Sequence, residues 1–136
     1  MMNSVGGALY EFPFDTLEDY RRARSRAKKQ VTVRELWEIL TGCCSGFSYL
    51  QMKNIQHNSV RSSNIYIDNT GRIKIADPEI KGLDSNYELF EKQIPGVYLS
   101  PNELLSLKHG EKMPNHNCYR SDVFAMGVVL LELANL

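Results

Sequence analysis

The side chains best suited to chemistry in this 136-residue chain lie in the stretch IQHNSVRSSNIYID, residues 55–68. His57 offers an imidazole that titrates near neutral pH and so invites an acid–base role. Ser59 offers a hydroxyl, uncharged near pH 7, which can orient a neighbour by hydrogen bonding but is a poor proton acceptor. Asn64 stands where the chain enters an alternating apolar run, and Asp77 follows that run; local structure alone asks them to cap the turn and to order the next loop. A second, looser group is His109, His116 and Cys118, for which an irregular linker is a better account than a metal site. Cys43, Cys44 and Cys118 form no C-x-x-C pair, so neither a zinc site nor a disulfide framework is suggested, and reduced thiols in the cytoplasm are expected.

The elements that must position these residues can be read from start signals and periodicity. ALYEF, residues 8–12, reads as the end of a strand that FPFD breaks. Asp15 followed by Glu18 fits a helix start, with the Asp15 side chain accepting from free backbone N–H groups, and LEDYRRARSRAKKQ is helix-permissive. Thr32 with Glu35 has capping-box spacing. Val33, Leu36, Trp37, Leu40, Cys44, Phe47 and Leu50 then recur at helical intervals, which predicts a half-buried helix over 33–51 with Trp37 and its stripe in the core. Gly42 and Gly46 on that helix would let another backbone come close. Ile65-Tyr66-Ile67 and Arg72-Ile73-Lys74-Ile75 flank Asp-Asn-Thr-Gly and read as a β-hairpin. Residues 78–117 carry most of the prolines and read mostly as loop. Ser121 and Asp122 then open a last helix that is apolar on nearly every face and must be buried all round.

Composition excludes some classes of function. Sixteen basic and sixteen acidic residues balance, so no whole-molecule field selects nucleic acid or an acidic membrane. The run Arg21, Arg22, Arg24, Arg26, Lys28, Lys29 lacks the interleaved aromatic residues of a base-stacking surface and reads as a solvated helix face. The longest apolar stretch, VFAMGVVLLELANL, is too short to span a bilayer and contains Glu132, and the amino terminus has no signal-peptide pattern.

The order of these segments resembles the large C-terminal lobe of a eukaryotic protein kinase, from the hinge to the central buried helix. His57-Asn58-Ser59-Val60-Arg61-Ser62-Ser63-Asn64 matches the spacing of the H-R-D-L-x-x-x-N catalytic loop, and Asp77-Pro78-Glu79 stands at the D-F-G position. Ser100-Pro101-Asn102 resembles A-P-E loosely, leaving open whether Asn102 or Glu103 takes the glutamate's place. YRSDVFAMGVVLLEL resembles the central helix, with Asp122 leading and Gly127 within it, and ALYEF resembles the last small-lobe strand. The resemblance covers residues 9–136 of one partial domain spanning 1–136. It implies a fold that is mainly α with a small β-hairpin, an α+β kinase C-lobe with the N-lobe absent: Val5-Gly6-Gly7 is no G-x-G-x-x-G, and no V-A-I-K strand precedes the hinge.

What the resemblance implies for chemistry differs by position. Asn64 and Asp77 occupy the two magnesium positions, and Ser59 occupies the place of the aspartate that accepts the substrate's proton. A positioned base is worth about 10²- to 10⁴-fold in rate. Arg61 replaces the loop lysine, and Asn58 replaces the arginine that pairs with activation-loop phosphate. Pro78 and Glu79 replace the Phe and Gly of D-F-G, fixing φ and removing backbone freedom. His57 and Asp122 are expected in structural roles, with the Asp122 carboxylate holding the loop backbone. Ser85 and Tyr87 lie where activation-loop phosphorylation would occur, for which the only reason offered is exposure. The expectation is a catalytically inactive kinase-like domain that acts by binding a protein partner. No cofactor is required, and Mg·ATP binding would need an N-lobe supplied from elsewhere. The alternative is a fragment of an active ATP-dependent Ser/Thr or Tyr kinase whose N-lobe lies outside this chain.

Overall fold

A computed structural model describes residues 2–5, 8–11, 15–78 and 84–136, the first two stretches by backbone alone. Strands β1 (Met2–Val5) and β2 (Ala8–Glu11) pair antiparallel, with Met2 opposite Glu11. The strand expected over 8–12 is therefore present to Glu11, and its break at 12–14 lies outside the described residues. The expected hairpin forms from β4 (Ile65–Ile67) and β5 (Ile73–Ile75), with Ile65 opposite Ile75. The Asp68 carboxylate closes its turn, Oδ1 accepting from the N–H groups of Thr70 and Arg72 at 2.9 Å each. A third strand, β3 (Asp15–Thr16), pairs antiparallel with β4, placing Asp15 opposite Ile67. Asp15 is thus a strand residue and not the helix cap: the cap of α1 (Leu17–Arg26) is Thr16, whose Oγ1 accepts from the Asp19 N–H at 3.1 Å. The helix stops short of the basic run's end because Lys28 turns left-handed at φ 51°.

Helix α2 (Val33–Met52) begins at the reciprocal Thr32–Glu35 capping box. Its buried stripe is rotated from the expected one. Ile39 and Cys43 are buried, with Leu36, Leu40 and Phe47 packed beside them, whereas Trp37 is 63% exposed and Val33 and Cys44 also face solvent. The expectation of a core Trp37 fails because the helix presses its glycine face to the hairpin. A Cβ on Gly42 would stand 2.6 Å from the Cβ of Ile73, and one on Gly46 would stand 2.5 Å from Cδ1 of Ile75. The glycines admit two isoleucine side chains, where the sequence suggested a backbone, and in doing so fix where β5 delivers Ala76 and Asp77.

Most of the described residues in 78–117 are loop, as expected, but the stretch is not all loop. It holds two short helices, α3 (Asn86–Glu91) and α4 (Pro101–Lys108). Each starts at a capping box, Ser85 with Glu88 and Ser100 with Glu103, and Pro101 sits at the first position of α4, where no N–H is missed. Helix α5 (Cys118–Ala134) starts earlier than expected, because Asn117 caps it by accepting from the Arg120 N–H at 3.1 Å. Ala125, Met126, Val129 and Leu133 bury one face against Leu17, Ile39, Cys43, Val60 and Ile65, which together form the core. Among the described residues the helix is not covered all round: Val123, Phe124 and Leu131 remain exposed. The lone charge in this apolar run, Glu132, is satisfied by hydrogen bonds from Ser62 Oγ (2.8 Å) and the Tyr98 hydroxyl. Among the described residues no helix is long and apolar enough to cross a membrane.

Candidate active site

The loop 57–64 hangs between α5 and the hairpin. Asp122, in the second turn of α5, holds its start: Oδ2 accepts from the His57 N–H at 3.1 Å and Oδ1 from the Asn58 N–H at 2.9 Å. Burial pushes the Asp122 carboxyl up to about 6, the nearby Glu103 carboxylate adds to this, and the two N–H bonds oppose it. At neutral pH the group is therefore charged. His57 is buried, and both ring nitrogens are engaged. Nε2 lies 2.9 Å from the Ala76 carbonyl, and Nδ1 accepts from the Ser59 N–H at 3.2 Å. A carbonyl only accepts, so Nε2 carries the proton and the ring is the neutral tautomer. Burial, which lowers its pKa, favours the same form.

The second part of the loop is engaged with the segment after the hairpin. Ser59 is 2% exposed, and its hydroxyl donates to the Asp84 carbonyl at 2.9 Å. Arg61 donates through Nη1 to the same carbonyl (3.3 Å) and to Asn86 Oδ1 (3.2 Å), and through Nε to Ser63 Oγ (3.2 Å). Asn64 is buried; its Nδ2 donates to the Ser59 carbonyl at 2.8 Å, and its own carbonyl accepts from the Ala76 N–H at 2.8 Å. Among the described residues the amide oxygen of Asn64 takes no hydrogen bond. Asp77 is exposed and follows directly on Ala76, whose backbone is bonded to Asn64. Two hard oxygen donors on neighbouring backbones suit a magnesium ion, which takes few protein carboxylates and keeps several waters. Glu79, which the sequence placed beside them, lies outside the described residues.

Other candidates fall differently. Tyr87, thought exposed, is 4% exposed and donates its hydroxyl to the Glu111 carbonyl at 2.6 Å, while Ser85 serves as the cap of α3. Of Asn102 and Glu103, it is Glu103 that is buried, its Oε2 accepting from the Ser100 N–H at 2.8 Å. Of the loose group, His116 and Cys118 come together, Nε2 to Sγ 3.6 Å, while His109 ends α4 in solvent. His116 Nδ1 lies 2.5 Å from Ser121 Oγ, which in turn lies 2.7 Å from Ser100 Oγ, so this group pins α4 to α5. Burial and the Asp122 and Glu103 carboxylates push the Cys118 thiol up, away from the reactive thiolate. Among the described residues no group of three His, Cys, Asp or Glu side chains is placed to hold a metal ion. Sequence reasoning missed Asp84 and Asn86, although S-N-Y-E at 85–88 signals a helix start that would have placed them.

The sequence model of the protein tyrosine and serine/threonine kinase family matches residues 7–136. The chain belongs to the protein kinase family. It is 35% identical over 133 residues to the proline-rich receptor-like protein kinase PERK2 of Arabidopsis thaliana, covering 92% of this chain and 17% of that protein. It is 27% identical over 115 residues to the MAP kinase kinase skh1/pek1 of Schizosaccharomyces pombe, covering 85% of this chain and 29% of the relative. It is 25% identical over 108 residues to the serine/threonine-protein kinase shk2 of the same yeast, covering 78% and 17%. The chain spans less than a third of the length of these kinases. Its helices and its small antiparallel sheet are those of a kinase C-lobe.

Proposed function

We propose that this kinase-family chain does not transfer phosphate and acts by binding a protein partner. One observation carries the reading. The residue at the base position, Ser59, has no carboxylate, and its hydroxyl acts as a donor to the Asp84 carbonyl. A neutral hydroxyl is too weak a base to take a proton from a substrate, and this one is buried. Among the described residues, neither His57 nor Asp122 takes over the role. His57 has both nitrogens engaged, and each oxygen of Asp122 holds a backbone N–H. The exposed apolar side chains of α2 and α5, Trp37, Met52, Phe124 and Leu131 among them, support a role in binding protein. The three cysteines, all free thiols, support a cytoplasmic setting.

A second reading has its own observation, an Asn64 amide fixed beside the backbone that carries Asp77. In a longer chain with an N-lobe, these two residues would hold Mg²⁺, which supplies charge neutralisation to the transferred phosphoryl group. Asn64 is prepared for this, since its amide nitrogen is fixed on the Ser59 carbonyl. Phosphate transfer from Mg·ATP to a generic protein substrate separates the two. The first reading expects none above background in the wild-type chain. Turnover that Asp77→Ala abolishes would sink it and establish the second.

A further inference from the structure

The basic run of α1 takes no part in the catalytic loop. Between Asp19 and Glu35 the chain has no acidic residue, and Arg21, Arg22, Arg24, Arg26, Lys28 and Lys29 crowd together there. One hydroxyl stands among them, on Ser25 in the last turn of the helix. It is exposed, and among the described residues it makes no hydrogen bond. The other serines whose side chains are described are placed differently. Ser59, Ser62, Ser100, Ser106 and Ser121 are buried, Ser85 caps α3, and Ser63 accepts from Arg61. Ser45 and Ser48 are exposed, but they lie on α2 between Glu38 and Lys53, a stretch without any charge. We propose that Ser25 is a phosphorylation site, modified by a separate protein kinase that selects arginine, and that its phosphate is then gripped by the cations one turn away. The site lies apart from the catalytic loop and stands whether or not that loop transfers phosphate.

Recognition of the site is electrostatic. Arg21, Arg22 and Arg24 precede Ser25 closely in sequence. A kinase whose cleft is lined with carboxylates distinguishes such a serine from Ser45 and Ser48 by charge. Arg24 is committed elsewhere, to Glu35 and the Gln30 carbonyl, so Arg21 and Arg22 carry the selection. Arg22 is paired with Glu18 at 2.6 Å, an exposed contact that a stronger anion can displace. Access to the hydroxyl comes from the way α1 ends. The Lys28 N–H bonds the Ser25 carbonyl at 3.1 Å and the Lys29 N–H bonds the Arg24 carbonyl at 3.0 Å, a Schellman closure. Its left-handed position, φ 51°, belongs to Lys28 and not to a glycine, and every residue from Ser25 to Gln30 is exposed. A helix end strained at that position and packed on nothing unwinds readily into the extended form a kinase cleft takes.

The step is a phosphoryl transfer. Ser25 Oγ bonds to the terminal phosphorus of Mg·ATP, the bond from that phosphorus to ADP breaks, and the hydroxyl proton passes to the carboxylate base of the acting kinase. The new group carries about −1.5 to −2 charges at pH 7. A helical side chain leans toward the N-terminus, which brings the phosphate over Arg21 and Arg22. The Schellman turn folds Lys28 and Lys29 back toward the same place. Negative charge opposes the dipole of a helix C-terminus, but these cations outweigh it. The most basic stretch of the chain then loses much of its charge, which changes the partners it attracts.

Incubation of the 136-residue chain with Mg·ATP and a purified serine kinase that selects arginine tests the site, with a serine kinase that selects acidic residues as the control. Mass spectrometry should map phosphate to Ser25 with the first enzyme and not with the second. Arg22→Ala should lower the initial rate about tenfold, and Ser25→Ala should abolish it. Phosphate that maps elsewhere, or a rate indifferent to Arg22, would overturn the site. A phosphorus NMR titration of the phosphorylated chain tests the grip. The second ionisation of phosphoserine ordinarily falls near pH ~6. Here it should lie lower, and Arg21→Ala should move it back. A midpoint at the ordinary value in both would overturn the grip. Incubation with Mg·ATP alone scores the chain's own activity, so the catalytic reading and the Ser25 site fail or stand separately.

Discussion

The two parts of the catalytic loop, His57–Asn58 and Ser59–Arg61, are neighbours in one chain held in different ways. At the first end, backbone groups are held by the core. His57 and Asn58 give their N–H groups to a buried carboxylate on α5, and the His57 ring bridges to the end of the hairpin. At the second, side chains are held by a surface segment, with Ser59 and Arg61 both on the Asp84 carbonyl. The difference teaches what the kinase fold demands of this loop. Its path is set by bonds that any side chain at position 59 would leave intact, because they use the backbone and Asp122. Its chemistry depends on side chains bonded to a separate segment of the chain, and these can change partner without moving the backbone.

Breaking the first end should have the largest effect. Asp122→Ala strands two buried N–H groups, each worth about 1–3 kcal/mol when left unpaired, so urea unfolding should show a loss of about 2–6 kcal/mol. A loss within the scatter of surface substitutions would mean that the loop is held by something else. Next comes the packing that delivers the hairpin to the site. Gly42→Ala places a methyl 2.6 Å from the Cβ of Ile73, and the shift it forces should cost about 1–3 kcal/mol in the same experiment. An unchanged midpoint would mean that α2 and β5 part without strain. A smaller effect belongs to the cap that starts α2. Thr32→Ala removes the acceptor for the Glu35 N–H and should cost about 1 kcal/mol.

The smallest effect is one of pH. Hydrogen bonds from the Thr32 N–H and hydroxyl, with help from Arg24, hold the Glu35 carboxyl down to about 2. A carboxyl lowered on folding adds stability that is present above its ordinary range near 4.5 and is lost as the pH falls through about 2. Thermal unfolding from pH 5 to pH 2 should therefore fall less steeply in Glu35→Gln than in the wild type. Parallel profiles would show that Glu35 is no better held in the folded chain than in the unfolded one.

Much of the scaffold was legible because its signals are local and repeated. The Thr32–Glu35 box and a long 3.6-residue period set α2 to within one residue at its end, and Asp-Asn-Thr-Gly set the hairpin. Its buried face was misread by one step around the helix. Trp37 is the bulkiest apolar side chain there, but Gly42 and Gly46, the smallest, decide which side meets the hairpin. Helices α3 and α4 are too short, six and eight residues, to show a period. Their capping boxes were nonetheless written in the sequence, as S-N-Y-E and S-P-N-E. The seam between Ser59 and Asp84 left no trace of this kind. It joins residues 25 apart through a side chain and a backbone carbonyl, and a carbonyl carries no sequence signature.

The measurement closest to the central claim sets Ser59→Ala beside Asp122→Ala in one urea unfolding series. Ser59→Ala leaves the Asp84 carbonyl its bond from Arg61 and should cost no more than about 0.5–1.5 kcal/mol, well below the loss from Asp122→Ala. That outcome would show a loop whose path is fixed by the core and whose catalytic position is free to serve another purpose. Equal losses would contradict the account, since the side chain at position 59 would then be holding the loop as firmly as Asp122 does.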